Sequence, residues 1–149
     1  MATTDRAKTT KGAVAAYALI VGAVVLVSVL GGLVSGGAGD PWYESLNKAP
    51  GNPPGFLFGV VWPILYTLMA VGGCLVWRAA GGWGAARMAM TLFFAQLLLN
   101  LAWSYLFFGA QQPLAALVDI VILCGLVALM IRAFSRHSAL AAALQVPYL

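Results

Sequence analysis

The chain has 149 residues and a formal net charge of +4, from eight Lys and Arg against four Asp and Glu; it is 62% hydrophobic and only 8% charged. Together with a mean hydropathy of +0.94, this excludes a soluble globular domain and a disordered chain. It also argues against a nucleic-acid partner, because the basic residues cluster at the ends of apolar segments, where they set membrane orientation. The expectation is a multi-pass protein in a lipid bilayer.

A hydrocarbon core of about 30 Å needs roughly 20 apolar residues of helix. Residues 1–12 carry Arg6, Lys8 and Lys11 and read as a cytoplasmic tail ahead of one transmembrane bundle domain, 13–149. Span one, Ala13–Gly36, is longer than the roughly 7–15 residues of a signal-peptide core and is expected to be retained. Its Ser28, Gly32 and Gly36 form a small-residue stripe that suits close helix packing, within the bundle or in a homodimer. Residues 37–55 form the longest connection, stiffened by Pro41, Pro50, Pro53 and Pro54. It stands on the outer side if Arg78, Arg87, Arg132 and Arg136 are cytoplasmic.

Span two, Phe56–Trp77, contains Pro63, which removes a backbone donor and is expected to bend the helix. Span three is Met88–Phe108, and span four, Pro113–Ile131, opens with a proline favoured at the first helical position. The last apolar segment, 138–149, is capped by Ser138 and carries Pro147. Its roughly 12 residues cover about 18 Å, so it reads as a partial fifth span that would continue beyond Leu149. Cys74 and Cys124 both fall within spans and read as small apolar groups. No metal-ligand spacing is present in the sequence.

Polar groups within the spans are the most informative residues, since lipid offers them no partners. Asp119 is the one acid in a span, and burying it at a helix centre costs about 2.5–3.5 kcal/mol unless it is partnered or protonated. It lies six residues, roughly 9 Å, below the start of span four. The same depth in spans two and three is held by Trp62 and Trp103. Phe93, Gln96, Asn100, Trp103 and Phe107 follow i, i+3, i+4 spacing on one face of span three, and Trp62 and Tyr66 are an i, i+4 pair on span two. These groups are expected to face a common hollow between spans two, three and four, under the 37–55 loop with its Trp42 and Tyr43. An aromatic cavity with a few fixed polar groups suits a flat, apolar ligand.

The stretches "WYESLNKAPGNPPGFLFGVVWPILYTLM", "AQLLLNLAWSYLFFG", "ALVDIVIL" and "VPYL" are similar in order and spacing to the TspO/MBR family, the tryptophan-rich sensory proteins related to the mitochondrial translocator protein. The resemblance runs from Trp42 to the end. It implies an all-α, five-helix membrane bundle, here with the fifth helix truncated, often dimeric and placed in a bacterial cell membrane. It implies porphyrin-like ligands held beneath the first long loop, as ligands rather than cofactors. By motif, Trp42, Tyr43, Pro53 and Pro54 belong to the lid, Trp62 and Tyr66 to the span-two wall, Gln96, Asn100 and Trp103 to the span-three wall, and Tyr148 to the last segment. Two departures, Ala49 in place of the family's proline and Gly51 in place of a bulky aromatic, imply a looser lid. Two other roles fit the same residues: light-dependent porphyrin breakdown, implied by the family, and proton-coupled export through Asp119.

Overall fold

The computed structural model describes residues 2–36, 40–48, 50–52 and 54–149, with side chains from Lys11 onward. The described residues are helical with short connections and contain no strand. Four helices are long and apolar enough to cross a membrane: α1 (Ala2–Val34), α3 (Gly55–Ala80), α4 (Trp83–Ser104, continued by a π-helical turn at Tyr105–Gly109) and α5 (Pro113–Ser135). Between α1 and α3 lies the short α2 (Pro41–Ser45), and the chain closes with α6 (Ala139–Ala143) and a 3-10 turn, Val146–Tyr148.

The four expected spans are present, with different ends. Helix α1 begins at Ala2, so the expected tail is helical along nearly its whole length. Helices α3 and α4 extend toward each other until only Gly81 and Gly82 separate them, which places Arg78 and Arg87 on helices rather than in a loop. The close reversal depends on Gly81, whose φ of +80° only glycine adopts without strain. Its N–H donates to the Arg78 carbonyl and that of Gly82 to the Trp77 carbonyl, satisfying the last turn of α3. At the far end of the chain, Ser138 caps α6 by accepting from the Ala141 N–H, as its sequence position suggests.

Helix α4 is the centre of the bundle and packs on α1, α3 and, most extensively, α5. The terminal segment fills the gap between α5 and α3. The tightest packing is at the level of two adjacent glycines of α3. A Cβ on Gly73 would stand 3.0 Å from Ile20 Cγ2 and 3.1 Å from Phe93 Cζ, and one on Gly72 would collide with the Gln145 amide. The absence of side chains there lets α1, α4 and the terminal segment all approach α3. Phe93, Phe134, Met69, Met90 and Met130 are fully buried around this level. Outward positions such as Leu114, Val121, Ile122 and Leu129 are large, apolar and exposed, as lipid-facing residues must be.

Candidate functional site

The 37–55 connection is anchored at its start by Asp40, whose carboxylate accepts a 2.8 Å hydrogen bond from the Tyr43 N–H and so caps α2. Helix α2 directs two rings at the end of α4. Trp42 meets Phe107 edge-on at 5.3 Å, and Tyr43 contacts Phe107 and Phe108 at 6.4 and 5.9 Å. Lys48 braces this cover, lying 4.5 Å over the Tyr43 ring and 2.7 Å from Glu44. The Tyr43 hydroxyl also pairs with the Asn52 side chain. Pro54 precedes α3, and Pro53 and Ala49 lie outside the described residues.

The π turn explains why two consecutive phenylalanines serve the cover. The Ala110 N–H bonds to the Tyr105 carbonyl five residues back, so the chain is wider there than an α-helix. Phe107 and Phe108 both contact Trp103 as a result: Phe107 is stacked at 5.2 Å with planes 8° apart, and Phe108 is edge-on at 6.0 Å.

Beneath the cover is a cavity of about 600 Å³. Its aromatic walls come from Trp62 and Tyr66 of α3, Trp103 of α4, and Phe107 and Phe108 of the π turn, with Tyr43 above. Its remaining side is the stripe Ser28, Gly31 and Gly32 of α1, where the small residues leave room. A Cβ on Gly32 would meet nothing within 4 Å. A second, smaller cavity of about 240 Å³ lies among α3, α4, α5 and the terminal turn, and includes Asn100, Cys124 and Tyr148. Trp62 and Trp103 line both cavities and form the partition between them.

This arrangement corrects the expected hollow. The space between spans two, three and four is mostly filled by the terminal segment, and the larger opening is on the α1 side. Asp119 is 7% exposed, lines none of the cavities described, and has one carboxylate oxygen without a hydrogen-bond partner. Gln96 is fully buried deeper in α4, its amide nitrogen 3.9 Å from the Met69 sulfur. Trp42 lies behind Phe107 and does not line the larger cavity.

Asn100 occupies a joint between three elements. The Tyr66 hydroxyl donates to its carbonyl oxygen at 2.6 Å, and its amide donates to the Tyr148 hydroxyl at 2.8 Å. Trp62 lies against both tyrosine rings, at 5.7 and 6.4 Å. Asn100 thereby orients the aromatic wall from behind. The sequence pattern does not mark Ser28, Gly31 and Phe108 as cavity residues, whereas Phe107 lines the cavity from the expected stripe of span three. Nor does the pattern mark Gln145, whose buried amide donates to the Leu68 and Ala141 carbonyls and pins the terminal segment to α3.

Four apolar spans around a covered aromatic cavity define an all-helical integral membrane protein with a ligand-sized chamber near one end of the bundle. The chain belongs to the TspO/MBR family, whose profile matches residues 19–149. It is 41% identical over 134 residues to the tryptophan-rich protein TspO of Chlorobaculum tepidum, covering 89% of this chain and 84% of that protein. The human translocator protein is 42% identical over 114 residues, 76% of this chain and 68% of the relative. The tryptophan-rich sensory protein of Cereibacter sphaeroides is 34% identical over 110 residues, 74% and 67% respectively.

Proposed function

We propose that this protein is a membrane receptor for flat, hydrophobic ligands of the tetrapyrrole class, porphyrins above all, and acts as a sensor or carrier. The observation that carries the reading is the stacked pair Trp103 and Phe107 in one cavity with Trp62 and Tyr66. Planar walls favour a planar ligand through offset stacking, worth about 0.5–1.5 kcal/mol per ring pair beyond area burial. The volume of about 600 Å³ falls within the roughly 300–1,000 Å³ range of small-molecule sites. Ser28, Ser35, Asn52 and Ser104 add hydroxyls and an amide suited to the polar substituents of such a ring. Names of relatives as sensory and translocator proteins agree with this reading.

In this reading the protein sits in a bacterial cell membrane, with the tail and the arginine-bearing helix ends on the cytoplasmic side, as the positive-inside bias favours, and the Tyr43 cover on the outer side. A homodimer pairing through the Ser28–Gly32 face would close the open side of the cavity, and disulfide crosslinking of a Gly32→Cys variant tests for it. The ligand reading is tested by titrating purified protein with protoporphyrin IX and following tryptophan fluorescence quenching. Trp62→Ala is expected to weaken binding about 3–10-fold, the equivalent of one lost ring pair. Gly32→Leu, which has open space to fill, is expected to weaken binding while leaving thermal stability unchanged. Unchanged affinity in both variants would refute the assignment of this cavity.

A further inference from the structure

A third cavity, about 610 Å³, runs along the opposite half of the α1–α3 seam. Its character differs from that of the aromatic chamber. Val21, Val25, Val29 and Val71 make its walls largely aliphatic, and of its α1 lining Tyr17, Val21, Val24 and Val25 lie on the N-terminal side of Ser28. Arg78 lines its far end, beside Tyr17. Along α3 the lining extends from Pro63 to Arg78, 15 residues or about 22 Å at 1.5 Å per residue. That exceeds one leaflet of a hydrocarbon core about 30 Å thick.

The cation at its end has no ion-pair partner among the described side chains. Among the described side chains the only ion pair is Lys48–Glu44, in the cover at the opposite end of the bundle. Arg78 itself is exposed, in the last turn of α3. A guanidinium at headgroup depth, continuous with a long aliphatic groove, has the charge and shape complementary to one molecule type: a phosphate on an acyl chain. We infer that the groove is a binding site for an anionic phospholipid, with its headgroup phosphate on Arg78 and one acyl chain laid between α1 and α3. Ser28, Pro63 and Tyr66 line both this groove and the aromatic cavity, so the end of that chain forms part of the cavity's side wall.

Lipid binding in this groove requires no porphyrin in the aromatic cavity. Native mass spectrometry of the full chain, released from micelles holding equal phosphatidylglycerol and phosphatidylcholine, tests it directly. One retained phosphatidylglycerol per chain is expected, in preference to phosphatidylcholine. Arg78→Gln is expected to reduce that preference roughly fivefold, the size of one basic contact to an anionic surface. Arg136→Gln, a basic residue that lines none of these cavities, is expected to leave it unchanged. Val71→Phe fills the groove from an exposed position and is expected to abolish retention of either lipid. Equal retention of both lipids, untouched by Arg78→Gln and Val71→Phe, would overturn the site. So would a shift of Val71→Phe from dimer to monomer with no change in lipid, which would assign the groove to a second copy of the chain.

Discussion

The two halves of the bundle are built on different terms. Toward the arginine-bearing ends, α1, α3, α4 and α5 meet through fully buried side chains, Ile20, Val76, Phe93, Met90 and Phe134 among them. Toward the cover, no residue of α3 before Tyr66 is buried, and the rings of Trp62, Trp103, Phe107 and Phe108 are only half-buried. One seam stays closed throughout: Ala116 and Asp119 of α5 are buried at the level where the α1 side has opened. The difference teaches that the densely packed part of the molecule is the α4–α5 pair with the lower core. The chamber is the place where α1 and α3 diverge from it.

The contrast breaks most visibly in the core. Phe93→Ala removes a fully buried ring and is expected to cost about 3–5 kcal/mol, whereas Phe107→Ala, in the half-open chamber, is expected to cost far less and to act mainly on ligand affinity. Unfolding of both variants in detergent measures the gap, and equal losses would erase the distinction between the halves. Next in size is Gly72→Ala. Its new methyl collides with the Gln145 amide, an overpacking of about 1–3 kcal/mol. Hydrogen exchange should rise in Ala139–Tyr148 and remain unchanged in α1; uniform change across the bundle would show that the terminal segment is not a separately docked unit.

A smaller effect sharpens the boundary between the halves. Asn100→Ala strands the hydroxyls of Tyr66 and Tyr148, and interhelical hydrogen bonds in membranes average about 0.6 kcal/mol with a maximum near 1.7. Its ligand affinity should fall more than its stability, because the lost joint orients the Trp62 wall. The least effect belongs to Lys48→Ala. The Lys48–Glu44 pair is solvent-accessible, and such pairs contribute about 0–1 kcal/mol. The melting temperature should barely move, and any change in ligand affinity should decrease with added salt.

Several local features could be read directly because their physics is local. Pro113 opens α5, Ser138 caps α6, and the aromatic and amide stripe of α4 does turn inward. The π turn after Ser104 left no mark in the hydropathy pattern, so Phe108 was not recognised as a partner of Trp103. Gly72 and Gly73 carry no periodic signal either, and their meaning comes from Gln145 and Phe93, which are 73 and 20 residues away. Trp62 and Trp103, at equal depth by residue count, share a partition, whereas Asp119 at the same depth lines neither cavity. Residue depth alone does not set the side of that partition on which the larger space lies.

The amino-acid sequence by itself determined the class of protein, the four spans and the inward placement of Tyr66, Asn100 and Asp119, because the cost of polar groups in lipid admits few alternatives. Only the tertiary structure decided that the chamber opens toward α1, with the terminal segment occupying the opposite gap. The reason is physical: in a helix that is apolar all round, the side facing lipid and the side facing a neighbour have the same composition, so contact is chosen by shape.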